Sequence, residues 1–277
     1  MDPQQALKQG DLDGSLTALQ ERVRKSPADP TLRTFFFQLQ AVQGQWQKAL
    51  KQLDVLADLD DKSLAMVQTY RQTLQCEALR SEVFKGLRSP LILGNPPQWI
   101  APLLEALKLD TQGHHQQAHG LRQQALDAAP AIPGQLNEQP FAWLADADSR
   151  LGPVVEGIVN GRYYWIPMER IQALAIEAPS DLRDLVWLPA TATWSNGGQA
   201  VIFIPSRYPD TAEAQDAELR LARRTEWRQV HEGYWGLGQR LLASDQDDYP
   251  LLEVRQIDFD LPASEEDPAL PADVDHT

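Results

Sequence analysis

Apolar residues recur at two different periods along this chain. In the first half they fall three or four residues apart, as in Leu12, Leu16 and Leu19 and again in Trp46, Leu50 and Leu53. Leu64, Val67, Tyr70, Leu74, Ala78 and Val83 continue that spacing and predict a helix over residues 63–86. Residues 89–97, SPLILGNPP, read as a break, and a helix restarts over 99–109. After Pro133-Gly134 the pattern becomes β-like. Residues 154–159 and 162–167 are β-prone runs separated by Asn160-Gly161, the strongest short hairpin signal. Residues 168–176 are expected to form a short helix that ends before Pro179. Residues 185–194 and 199–205 read as two strands joined by Ser195-Asn196-Gly197-Gly198, and 219–230, 236–244 and 251–259 as further strands. Short strands with turn chemistry at regular spacing predict a small twisted sheet or a partly open barrel.

The helical half repeats. Gly10 and Gly44 lie 34 residues apart, and a third copy starts at Gly113. Five positions after each glycine stands a small residue: Ser15, Ala49 and Ala118. Gly10 and Gly113 are followed at +17 by Pro27 and Pro130, while the middle copy has Asp61 there. Glycine relieves a tight turn between two helices, the small residue lets them approach closely, and proline ends the second. This pattern resembles the tetratricopeptide repeat. The fold class is therefore α+β: a TPR-like helical part at 1–134, a smaller β-rich domain at 135–260 and a disordered acidic tail at 261–277.

Composition narrows the function. With 43% hydrophobic residues in 277, a packed core forms. The single cysteine, Cys76, sits in an apolar helical pattern and reads as a buried thiol in a cytosolic protein. The N-terminal segment has no basic or apolar run of the secretory type, and no apolar run is long enough to span a bilayer. The net charge of −14 is uneven. Residues 1–140 carry 14 Lys and Arg against 15 Asp and Glu, and residues 141–277 carry 11 against 24, all eleven cations being arginine. That balance excludes a phosphate-binding face for nucleic acid and allows a basic protein partner.

Candidate chemistry is sparse. Asp146, Asp148 and Arg150 alternate, and in an extended strand all three point to one side. Two neighbouring carboxylates suit acid–base work or a divalent metal, which makes a hydrolase the alternative reading. The competing reading is structural: Arg150 bridges one or both aspartates and fixes the entry to the first strand. No nucleophile elbow, Walker loop or dinucleotide fingerprint is present. His115 and His119 have i, i+4 metal spacing but no acidic third ligand, and read as a polar helix face. Tyr163 and Trp165 share one strand face and Tyr164 takes the other, so one face is expected to be buried and the other to offer an aromatic patch to partners. Arg207 and Tyr208 follow a strand and are residue types common at interfaces, or they cap that strand. No catalytic, metal or cofactor-binding residue is assigned.

The run DADSRLGPVVEGIVNGRYYWIP, then APSDLRDLVW, IPSRYP, RRTEW and GLGQRLL, resembles the ImpE family, also called TagJ or SciE. In the first half GDLDGSL, GQWQKALKQLDVL and the segment ending in VFKG agree as well, so the resemblance spans about residues 5–260 and leaves out the acidic tail. It implies a non-enzymatic, cytoplasmic accessory protein of bacterial type VI secretion systems. The implied partners are the small contractile-sheath subunit, bound through its N-terminal helix, and the AAA+ ATPase that disassembles contracted sheath. The implied fold is helical first and α+β second, with no cofactor.

Overall fold

The computed structural model describes residues 2–261, so the acidic tail lies outside the described residues from 262 onward. The helical half runs α1 (Pro3–Lys8), α2 (Leu12–Lys25), α3 (Pro30–Val42), α4 (Trp46–Leu59), α5 (Leu64–Phe84), a short strand β1 (Leu91–Ile92), α6 (Ile100–Thr111) and α7 (His115–Ala128). The repeat maps onto helix hairpins. Gly10, Gly44 and Gly113 turn α1 into α2, α3 into α4 and α6 into α7, at φ of 80°, 68° and 80°. Ser15, Ala49 and Ala118 are fully buried where the paired helices meet, and Ser15 Oγ donates to the Pro3 carbonyl at 2.8 Å. Asp11 and Asp29 cap α2 and α3 by accepting backbone N–H groups of the first turn.

The second half supplies β2 (Gly134–Leu136), β3 (Gln139–Phe141), β4 (Leu144–Asp146), β5 (Val154–Val159), β6 (Arg162–Pro167), β7 (Ile171–Ile176), β8 (Trp187–Trp194) and β9 (Gln199–Pro205). A one-turn helix α8 (Ala217–Arg220) precedes β10 (Thr225–Val230), β11 (Gly233–Gly238), β12 (Leu241–Ser244), β13 (Asp248–Pro250) and β14 (Gln256–Phe259). Nine strands form one open sheet in the order β1-β6-β5-β9-β8-β7-β14-β2-β3. A hairpin β10-β11 and a three-stranded unit β13-β12-β4 stand beside it. Asn160 and Gly161 both take positive φ, as the β5–β6 hairpin turn requires.

Several expectations are corrected. Residues 168–176 form a single 3₁₀ turn followed by β7, because pairing with both β8 and β14 overrides the helix propensity of their Met, Gln, Ala and Leu side chains. Residues 219–230 begin in α8, capped by Asp216, and become a strand only at Thr225. Gly238, at φ 92°, divides 236–244 into β11 and β12, and a 3₁₀ turn opens 251–259. The break at 89–97 contains β1, which pairs parallel to β6 and so places residues of the helical half in the sheet.

Both faces of the central strands are covered. Val154, Ile158, Tyr163, Trp165 and Trp187 pack in one cluster with Phe37, Leu53, Val67, Tyr70 and Val83 of the helices. Val155, Val159, Tyr164, Ile166, Ile202 and Ile204 pack on the far side with Phe141, Leu242, Leu251 and Phe259. The aromatic patch expected on one face of β6 is therefore absent: Tyr163 and Trp165 are 0% exposed and Tyr164 is 4% exposed. Cys76 is buried as expected, and its thiol donates to the Gly161 carbonyl at 3.3 Å. Burial pushes that thiol up to about 12. No helix among the described residues is long and apolar enough to cross a membrane.

The three hairpin glycines differ in surroundings. A Cβ on Gly44 would stand 2.4 Å from the Ala212 side chain, whereas one on Gly113 would meet nothing within 4 Å. Gly113→Ala is expected to cost only the left-handed backbone strain, about 1–2 kcal/mol. Gly44→Ala is expected to cost about 2–4 kcal/mol, because overlap adds to that strain. Urea unfolding of the two variants checks this, and equal losses would show that the α3–α4 turn does not press on residue 212.

Candidate functional site

The predicted acidic pair sits where β4 ends and the chain turns into β5. Asp146 is the last residue of β4 and Asp148 stands in the turn that follows, so the two do not share one extended strand. Asp146 Oδ1 accepts the N–H of Asp148 at 2.8 Å, and Asp148 Oδ1 accepts the N–H of Arg150 at 2.9 Å, so each aspartate folds the next step of the turn. Arg150 pairs with Asp148 alone, through Nε at 2.9 Å and Nη2 at 2.5 Å. Its guanidinium lies between the Phe84 ring, 5.0 Å away at the end of α5, and the Trp235 ring, 4.7 Å away on β11. Asp148 Oδ2 also accepts the N–H of Gly236 at 2.8 Å.

Asp146 belongs to a second constellation, centred on Glu156. Its Oδ2 pairs with Arg240 Nη1, and its Oδ1 accepts from the Tyr208 hydroxyl at 3.2 Å. Arg240 uses Nη2 to hold Glu156 and donates Nε to the Pro205 carbonyl at 3.0 Å. Glu156 points from β5 toward the helices. There it accepts Nε of Arg80 at 2.7 Å, Nη2 of Arg80 at 3.1 Å and the Tyr163 hydroxyl. Trp165 Nε1 donates to that hydroxyl at 2.9 Å. Arg80 Nη2 continues to the Arg207 carbonyl at 2.8 Å. Arg207 in turn donates Nη1 to Val42 O at 2.8 Å and Arg220 O at 2.5 Å, the last carbonyls of α3 and α8.

Asp148, Glu156, Tyr163 and Trp165 are fully buried, and Asp146, Arg150, Arg207, Tyr208 and Arg240 nearly so. The cavity beside Asp146, Glu156 and Arg240 measures about 10 Å³, room for a single water at most. A larger cavity of about 70 Å³ lies against Glu77, Arg80, Arg207 and Trp46. The two spaced histidines go separate ways: His115 Nδ1 lies 3.0 Å from Asp110 and His119 Nε2 lies 2.8 Å from Glu232. Among the described residues no cluster of His, Cys, Asp and Glu is built to hold a metal.

Residues 138–258 match the family model described as "ImpE protein". The type VI secretion system accessory component TagJ of Pseudomonas aeruginosa is 55% identical over 257 residues, which cover 93% of this chain and 90% of that protein. The chain belongs to the ImpE family. A crystal structure of protein VPA1032 from Vibrio parahaemolyticus shares the fold, with a TM-score of 0.84 at 23% identity over 93% of this chain and 97% of that one.

Every residue of the two constellations except Val42, Arg80 and Phe84 falls inside the ImpE match. Arg80, Glu156 and Arg240 were not among the residues singled out from the sequence. Glu156 had a signal, a lone acid in the apolar run VVEGIV; Arg80 had a weaker one, a cation three residues after Glu77 among apolar helix positions. Arg240, in GLGQRLL, had none beyond its motif.

The electrostatics of this ImpE core are set by competition between burial and pairing. Burial alone raises the Glu156 carboxyl, but the Arg80 and Arg240 guanidiniums outweigh it and hold it at about 2. Burial pushes Asp146 up to about 6, with Arg240 pulling it down and Asp148 adding to the rise. Burial lowers Arg207 to about 10, since its guanidinium faces carbonyls instead of a carboxylate.

These shifts fix the pH dependence. Glu156 has a folded value below its ordinary 4.5, so it contributes stability that is complete above about 4.5 and lost as pH falls toward 2, about 3 kcal/mol in all. Asp146 acts oppositely, because the folded state takes up its proton between about 6 and its ordinary 3.8. Thermal unfolding across pH is expected to peak at about pH 4 and to fall steeply toward pH 2. Glu156→Gln is expected to cost about 3–5 kcal/mol at neutral pH, by leaving two buried guanidiniums without their carboxylate, and to flatten the acid limb. An unchanged acid limb in that variant would show that another group governs acid unfolding.

Proposed function

We propose that this protein is a non-enzymatic accessory component of a bacterial type VI secretion system. It binds the N-terminal helix of the small contractile-sheath subunit and links the sheath to the AAA+ ATPase that disassembles it. The observation that carries the accessory role is the 55% identity, over nearly the whole chain, to the P. aeruginosa accessory component. The arrangement of the acids supports an adaptor over a hydrolase. Asp146 and Asp148 are turned inward, each bound by an arginine and by backbone or hydroxyl donors, and the space beside Asp146 is only about 10 Å³. A substrate has no approach to carboxylates so held, whereas a stack of helix hairpins presents ridges and grooves suited to another helix.

Isothermal calorimetry with a synthetic peptide of the sheath subunit's N-terminal helix tests this reading. Binding is expected with a dissociation constant below about 100 μM. Asp146→Asn is expected to alter stability and to leave the peptide affinity of the folded protein at the wild-type value. Loss of affinity in a folded Asp146→Asn variant, or no heat from the wild-type protein, counts against the proposal.

A further inference from the structure

Between α4 and α5 the helical half carries a groove of about 500 Å³, lined by Gly44, Trp46, Lys48, Leu50, Leu74 and Ala78 among others. Leu74 forms its buried side, Trp46 and Leu50 are half-buried, and Lys48 and Ala78 are exposed. Trp46 is held from below by Trp187 of the sheet, ring centroids 5.9 Å apart, so the groove floor is braced by the core. Two features define what fits. Beyond the first N–H groups of α4, at Trp46 and Gln47, the walls are helices whose backbone groups bond within their own turns, so an incoming strand finds no ladder of N–H and C=O groups to pair with. An occupant must satisfy its own backbone and offer side chains, which a helix does. Lys48 stands on the groove wall and Lys51 one turn further along α4. Both are exposed, and neither has an ion pair among the described residues, whereas nearby Asp54 is already taken by Arg71. An apolar trough flanked by unpaired ammonium groups complements an apolar stripe bordered by acid.

We propose that the α4–α5 groove seats an amphipathic helix of the partner, with its apolar stripe against Trp46, Leu50 and Leu74 and an acidic residue facing Lys48. This rests on the adaptor reading above and adds the surface and the polarity of the bound helix. The test uses the full-length protein and the same synthetic peptide. Ala78→Arg fills the groove from an exposed position and is expected to weaken binding at least about tenfold. Lys48→Glu is expected to weaken it about three- to tenfold, and exchanging a single acidic residue of the peptide for Lys is expected to restore it. Circular dichroism confirms that both variants fold. Wild-type affinity in Ala78→Arg overturns the groove while leaving the adaptor reading in place. Failure of every acid-to-Lys peptide to rescue Lys48→Glu overturns the charge pairing. No binding to the wild-type protein overturns both readings, and an Ala78→Arg-sensitive dimer of the free protein, seen by analytical ultracentrifugation, assigns the groove to a second copy instead.

Discussion

Glu156 is a fully buried carboxylate held from two sides, by Arg80 from helix α5 and by Arg240 from the loop between β11 and β12. Removing such a group from water costs several kcal/mol, and that cost is offset only while both guanidiniums stay in place. The helical half, the central strand and the small three-stranded unit therefore share one electrostatic constraint. If any of the three shifts, an unpaired charge is left in the interior. Asp146 then ties β4 to the same arginine, and Asp148 with Arg150 ties the following turn to Phe84 on one side and Trp235 on the other.

A network of this kind does little for stability that well-packed apolar residues would not also do. Its distinctive contribution is register. Apolar contacts between α5 and the sheet tolerate sliding, whereas the two-pronged Arg80–Glu156 contact and the Arg207 caps on α3 and α8 each allow one arrangement. The result is a fixed joint between a helix stack and a sheet. The acids that suggested chemistry are the parts that build this joint.

The sequence by itself determined a good deal. The 34-residue spacing of Gly10 and Gly44, with Ser15 and Ala49 five positions on, defined helix hairpins because a left-handed turn and a close helix contact each admit few residue types. Asn160-Gly161 marked the β5–β6 hairpin for the same reason, and the ordered ImpE motifs carried the family. Local geometry restricts local residues, so these features are written where they act.

Only the tertiary structure decided the rest. That β6 is buried on both faces depends on what packs against it, and the alternation of Tyr163, Tyr164 and Trp165 reads the same whether one face is covered or two. That Asp146 pairs with Arg240 and not with Arg150, and that Glu156 meets Arg80, depends on residues 94 and 76 positions apart. Charge has no periodicity, and a buried ion pair leaves no trace in the chain except an acid or a cation standing where an apolar residue is expected. Which opposite charge fills that place is settled by how helices and sheet are stacked in space.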